Sequence, residues 1–506
     1  MMSEKYKLHP VSAIINSFKT LKEMFLPFLI IVVANGFSAK ESIWEYIPLL
    51  IMALFFVMFL VSGIIKWWTF VYWFEDNELR VKYGLFIKKK RYIPFDRIQS
   101  FNYKEGIFHR IFGLVQVMVE TAGGNDGKPE VVLTAVTRER AKQIEQETKR
   151  KKVLSVIEEE STVLDDEEHL EQVQQEQTVT DSEVIYKISM KDLFLLATTS
   201  NSVGVVLAGV VAVLSQVSEF IPYDRIFNEL SVFMEFGFLV IAMMVFIGLI
   251  LTWILSVIIT FINYYDFTII KEEDRFVVTQ GLLEKKRVTI PNNRVQAIKI
   301  VENPLRQWIK CATVVVESAS GGYGEDSKKV TLFPLISKKE MNGPLQQLFP
   351  QFDFQQSSQF VKPPRKARPY FYRVKIVALI PIVIVCSYVF FPYGLFSLLL
   401  FVPAFLLGIW QYKTNGYMIN ELQLILRYRV ISRVTFFVEK KRIQALNSSQ
   451  NFFQKRKRVA SIQATVMSGI AGETAYAHHL DESDAKRVLT WFEHSGERKD
   501  EEIEGS

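Results

Sequence analysis

Cysteine is almost missing from this chain: Cys311 and Cys386 are the two present among 506 residues. Cys311 lies in a polar stretch and Cys386 in a membrane-length apolar run. The water–lipid boundary therefore separates them, and a disulfide framework is excluded as an organising device. Histidine is nearly as scarce, with 6 scattered copies, and no Cys/His spacing suits zinc. The adjacent pair His478-His479 would face opposite ways in a strand. No phosphate-cradling loop exists: Gly321-Gly322-Tyr323-Gly324 lacks a following Lys-Ser or Lys-Thr and reads as a turn. Ionisable side chains are also absent from the middle of every apolar run, where ion-coupled carriers place them. Glu120 and Glu317 occupy matching places, but Thr465 replaces them in a third copy, so strand-edge carboxylates are expected rather than acid–base partners. No metal, cofactor or catalytic residue is expected, and the chain is read as not an enzyme.

Apolar length is abundant instead. Hydrophobic residues make up 49% of the chain, with 40 Phe. Residues 47–65 and 236–262 carry no charge, and each reaches the roughly 20 residues that cross a ~30 Å hydrocarbon core as a helix. Shorter or diluted runs at 24–37 and 203–217 partner them. Residues 376–391 and 395–410 form a third pair, punctuated by Pro392-Tyr393-Gly394. Six spans in three hairpins result. The hairpin loops, about 38–46, 218–235 and 392–394, hold Lys40 and Arg225 of the 60 basic residues, together with six acids. The positive-inside rule then places both termini and all soluble parts in the cytoplasm. No cleavable signal peptide is visible, and the first span is expected to direct insertion.

Each hairpin is followed by the same short sequence. Ile93-Pro94-Phe95-Asp96-Arg97-Ile98-Gln99 recurs as Ile290-Pro291-Asn292-Asn293-Arg294-Val295-Gln296, and again as Val438-Glu439-Lys440-Lys441-Arg442-Ile443-Gln444. Counting from each Arg, Phe108, Leu305 and Phe453 lie eleven residues on. Val117, Val314 and Ile462 lie twenty on, and Gly124, Gly321 and Gly469 twenty-seven on. Ungapped agreement at four offsets identifies a threefold internal repeat. Period-two alternation around the motif, with Gly84 and Gly281 thirteen residues before the Arg, argues antiparallel strands. Each unit closes on a helix-like stretch, at 137–149, 337–349 and 481–494. The expected unit is a small curved sheet or partly open barrel plugged by a helix.

With these motifs the chain resembles the bacterial pleckstrin-homology-like (PH-like) membrane protein family, in which a membrane hairpin precedes a PH-like unit carrying I-P-x-x-[RK]-[IV]-Q. Ile93–Gln99 and Ile290–Gln296 match it, while Glu439 replaces the proline in the third copy. The resemblance spans nearly the whole chain and implies an α+β membrane protein without a defined activity. Its expected parts are hairpin 1–66, PH-like domain 67–150, acidic linker 151–185, hairpin 186–263, PH-like domain 264–354, linker 355–370, hairpin 371–410, PH-like domain 411–495 and polar tail 496–506.

The acidic linker, eleven acids without Lys or Arg over 153–186, reads as a disordered spacer or a lid over basic faces. The Pro- and Lys/Arg-rich linker reads as lying along the anionic leaflet. Two candidate surfaces remain. Lys88, Lys89, Lys90 and Arg91 align with Lys285, Lys286 and Arg287, and near an anionic leaflet each charge contributes about 1 kcal/mol. Arg97 with Gln99, Arg294 with Gln296, and Arg442 with Gln444 each share one strand face. They would either hydrogen-bond a neighbouring domain or partner, or pin a loop internally. Nucleic acid is not an expected partner. The expected function is a membrane scaffold that assembles with itself or a smaller single-repeat relative, serving envelope stress or antimicrobial-peptide defence. Lipid or peptide handling in a cleft between the hairpins is the alternative.

Overall fold

The computed structural model describes residues 5–18, 47–121, 129–148, 183–209, 238–319, 329–354, 360–468 and 472–493, apart from 86, 201–203, 205 and 273. The first span expected at 24–37, most of the one expected at 203–217, and nearly all of the acidic linker lie outside the described residues.

Each repeat begins with a strand or single bridge residue that comes before its membrane segment. In the first, β1 (Tyr6–Lys7) pairs antiparallel with β2 (Val71–Glu75), which follows the hairpin. In the second, β8 (Glu183–Lys187) pairs with β9 (Thr268–Glu272). In the third, Val361 bridges Tyr417 of β15 (Gly416–Ile419). Tyr6↔Tyr72, Tyr186↔Ile269 and Val361↔Tyr417 share one register, since each second residue lies twenty-five before its motif Arg. The hairpin is therefore inserted into the PH-like fold after its first strand, which corrects the expectation that it simply precedes the domain. The same pairings correct both linkers. Residues 183–185 belong to β8, and residues 360–370 of the second linker dock on the third repeat, with Lys366 Nζ 2.7 Å from Asp481. Sequence patterning could not show this, because a two- to five-residue strand before a long apolar run carries almost no periodicity of its own.

After the hairpin come two more strands of a first sheet: β3 (Glu78–Tyr83) and β4 (Lys89–Pro94), β10 (Arg275–Gln280) and β11 (Lys285–Pro291), β16 (Gln423–Arg429) and β17 (Arg433–Glu439). Gly84 and Gly281 turn the chain between them at φ of +101° and +108°, and a Cβ there would lie 2.2 and 2.0 Å from the carbonyl oxygens of Ile87 and Glu284. The motif itself forms a 3-10 turn, Phe95–Arg97, Asn292–Arg294 or Lys440–Arg442. Its Arg thus ends a turn and does not share a strand face with the Gln two residues on, as the alternation had suggested. Proline, which fixes φ near −65° and lacks a donor, favours such a corner over a ladder position.

A second sheet of three strands follows: β5 (Ile98–Glu105), β6 (Leu114–Thr121) and β7 (Val131–Thr137); β12 (Val295–Glu302), β13 (Cys311–Ser318) and β14 (Lys329–Ser337); β18 (Ile443–Ser449), β19 (Val459–Val466) and β20 (Glu473–Asp481). Each repeat's two sheets pack over one core. In the first, Leu79, Ile93 and Phe95 meet Val117, Val119 and Leu133 under the helix at 138–148, which buries Ala141 and Ile144. The closing helices of the other repeats are Asn342–Leu348, shorter than expected, and Glu482–Glu493.

Three described helices are long and apolar enough to cross a bilayer, Val245–Tyr264, Arg365–Val389 and Tyr393–Thr414, with a shorter apolar helix at Leu54–Thr69. They belong to α1 (Ile47–Thr69), α2 (Phe238–Tyr264), α3 (Arg368–Val389) and α4 (Phe401–Thr414). Their large apolar side chains, such as Leu54, Phe246, Val377 and Leu406, are exposed, which suits contact with lipid. The third hairpin is complete. Tyr372 packs edge-on to Phe405 at 4.9 Å, and a Cβ on Gly408 would collide with Tyr372.

Gly281→Ala is expected to destabilise the fold by at least ~1 kcal/mol, because it combines positive φ with backbone overlap. Thermal unfolding in detergent should show a lower midpoint, and an unchanged midpoint would contradict this turn geometry.

Candidate interaction site at the repeat junctions

The second sheets of the first two repeats do not end at their own edges. β5 continues into β11 of the next repeat, giving a seven-stranded sheet, and β12 continues into β17, giving a six-stranded one. Glu105, Lys104 and Tyr103 pair with Lys285, Lys286 and Arg287. Ala297 through Glu302 pair with Val438 through Arg433. Both junctions use one register: the residue eight after one motif Arg faces the residue nine before the next.

At the first junction Asn102 makes the bridge. Its amide donates to Glu120 Oε1 at 2.8 Å, and its Oδ1 accepts the backbone N–H of Thr289 at 2.9 Å. Lys104 reaches Glu284 at 2.7 Å, and Arg110 donates to the Leu282 carbonyl at 2.7 Å. Burial alone would raise the Glu284 carboxyl, but the Lys104 and Lys286 ammonium groups hold it below its ordinary 4.5.

The second junction carries more charge. Arg433 grips Glu302 Oε1 through Nε at 2.9 Å and Nη2 at 2.7 Å, and Lys338 also pairs with this carboxylate, which is only 4% exposed. Lys299 occupies the place of Asn102 and joins Glu317, at 2.8 Å, to Glu473 from the third repeat. Ser468 donates to Glu317 Oε2 at 2.7 Å. Burial would raise Glu473, yet Lys299 and Lys329 lower it. Burial, reinforced by nearby Arg433, holds the guanidinium groups of Arg427 and Arg429 down to about 10. Arg429 still donates to Gln307 Oε1 at 2.7 Å.

Glu120 and Glu317 are thus buried junction carboxylates, a correction to the strand-edge reading. Of the motif side chains, Arg442 crosses to the preceding repeat and donates to the Asn293 carbonyl at 2.8 Å. Gln296 is buried there and donates to the Arg294 carbonyl, Gln99 and Arg294 are half-buried, and Arg97 and Gln444 are exposed. The two aligned basic clusters part company. Lys285, Lys286 and Arg287 lie on the junction strand, with Arg287 5.7 Å from the Tyr103 ring centre, whereas Lys88, Lys89 and Lys90 are exposed and Arg91 pairs with Glu130 at 2.8 Å. His478 and His479 are both desolvated, His479 down to about 4, beside Phe371 and Gln454. Asn102, Lys299, Glu302 and Arg433 escaped sequence reasoning. Their one signal was the opposite charge at matching offsets, Glu105 with Lys285 and Glu302 with Arg433.

Comparison with known proteins agrees with this architecture. A model of the bacterial PH domain family matches residues 25–152, 193–343 and 374–495, one match per repeat. The chain belongs to the bacterial PH domain family. It is 35% identical over 498 residues to the UPF0699 transmembrane protein YdbT of Bacillus subtilis (strain 168), covering 97% of this chain and 99% of that relative. No solved structure matches it. A membrane protein with three bacterial PH domains is thereby shown, and the name of its relative assigns no biochemical activity.

Arg433→Met is expected to destabilise the protein by about 2 kcal/mol, since Lys338 alone then faces the buried Glu302. Adding Glu302→Met should restore much of the loss in denaturant unfolding, and additive losses would argue against a coupled pair. Glu284 and Glu473 also set a pH response. Their folded pKa values lie below the ordinary 4.5, so their contribution is complete above that pH and is lost as pH falls below it. The denaturant midpoint should drop in that acid window, and Glu284→Gln with Glu473→Gln should flatten the drop.

Proposed function

We propose that the protein is a non-enzymatic membrane scaffold, holding three PH-like modules on the cytoplasmic face for self-assembly or partner binding. The observation that carries this reading is the sheet continuity between repeats: three modules are joined edge to edge, and polar groups such as Asn102, Glu317 and Arg433 are spent on holding modules together. Linking modules raises effective concentration, so weak contacts at each add to a durable assembly. The cytoplasmic orientation follows from the scarcity of basic residues in the hairpin loops. Exposed Lys88, Lys89 and Lys90 suit an anionic leaflet, and such a scaffold suits envelope stress or antimicrobial-peptide defence. Crosslinking in native membranes followed by affinity purification and mass spectrometry should recover a defined protein, a second copy or a smaller relative. A clean sample carrying only lipid would overturn the scaffold.

A second reading rests on a cavity of about 360 Å³ at the base of the second hairpin, lined by Leu196, Ser200, Thr260, Asn263, Tyr264 and Arg306. Arg306 is buried there, desolvated, and donates to Thr199 Oγ1 at 3.2 Å. A buried cation beside apolar walls suits a lipid headgroup, and lipid handling would follow if Arg306→Met removed lipid that copurifies with the wild type.

A further inference from the structure

The internal junctions leave one strand unused at each end of the array. Among the described residues, β4 ends the four-stranded sheet of the first repeat, and β18 ends the three-stranded sheet of the third. Their counterparts are the junction strands themselves. β11 and β17 stand where β4 stands, and β5 and β12 where β18 stands. Burial tracks this difference: Gln296 and Lys299 on β12 are each 6% exposed, while Gln444 and Asn447, at the same places on β18, are exposed.

We propose that β18 of one copy pairs antiparallel with β4 of a second copy of this chain, repeating the internal junction between molecules. This deepens the scaffold reading and rests on it. The shared register places Gln450 opposite Lys88, Ser448 opposite Lys90, and Ala445 opposite Ile93. The flanking contacts carry over by the same offsets. Asn447 stands where Asn102 does, so its Oδ1 meets the N–H of Tyr92 as Asn102 meets Thr289. Lys455 stands where Arg110 does, facing the Leu85 carbonyl as Arg110 faces Leu282.

Charge selects this pairing over others. Two β4 edges would set lysines against lysines, and lysine on an edge strand normally prevents such pairing. β18 instead offers Asn447, Ser448, Ser449 and Gln450, neutral groups that can accept from the Lys88–Arg91 cluster. The contact is heterologous, since one face binds a different face, and it extends as a row or closes as a ring.

The test uses full-length chains with Cys311→Ser and Cys386→Ser, differently tagged and expressed together, one with Lys90→Cys and the other with Ser448→Cys. Mild oxidation of native membranes should yield a disulfide-linked dimer in the mixture and in neither chain alone, since facing residues bring Cβ atoms within disulfide reach. Tyr103→Cys with Arg287→Cys occupies the same offsets inside one chain and should close intramolecularly, which certifies the chemistry. If that control closes while the mixture stays monomeric, the proposal is overturned. Amine-reactive links between copies at other residues would then leave the scaffold standing, and no link to any protein would remove both. Capture of Lys90→Cys by a different protein alone would overturn a second copy as the occupant.

Discussion

A strand at a sheet edge presents a row of unpaired N–H and C=O groups, and the whole assembly depends on how this chain satisfies them. Each of the first two PH-like modules has its second sheet open at one side, and the first sheet of the following module closes it. The paired backbone sets the register, and side chains then reinforce it through different chemistry: an amide at Asn102, an ammonium at Lys299, a forked guanidinium at Arg433. The cores follow the sheets across the boundary. Met418, Ile425 and Phe437 of the third repeat pack with the core of the second, and Ala297 of the second packs with the third. The modules therefore behave as neighbours in a one-dimensional array, each stabilised by its own core and by the interface to the next.

Insertion of each membrane segment between the first and second strands lets the module hold it from two sides. The Trp67 indole donates to the Leu8 carbonyl at 2.9 Å, and Asn303 and Arg306 hold Thr199 at the end of the helix Met190–Thr198. A hairpin attached at only one end would swivel about its linker. One clamped by a strand on one side and a sheet on the other enters its module in a fixed register.

Much of this was legible in the sequence. The motif spacing gave three repeats, the long charge-free runs gave the spans, and alternation around Gly84 and Gly281 gave the strands. The bacterial PH family followed from Ile93–Gln99 and Ile290–Gln296. What stayed hidden was relational. Alternation tells which face of β5 or β12 is buried but not which strand lies beside it, so a junction strand and an edge strand read alike. Lys88–Arg91 and Lys285–Arg287 look equivalent for that reason, although Lys88, Lys89 and Lys90 are exposed on an edge strand while Lys285–Arg287 lie on a strand paired with the neighbouring module. Glu120 and Glu317 were seen but misplaced, because their partners lie on other strands, Asn102 for Glu120 and the distant Ser468 for Glu317.

Hydrogen exchange on detergent-dispersed single copies tests the shared sheet most directly, by comparing β12 with β18. The two strands occupy the same place in their repeats and differ chiefly in that, among the described residues, β12 has β17 on its outer side and β18 has no strand there. The account expects amides over Val295–Glu302 to exchange as slowly as those of β13, and amides over Ile443–Ser449 to exchange markedly faster. Equal exchange in the two strands would contradict a continuous sheet between modules.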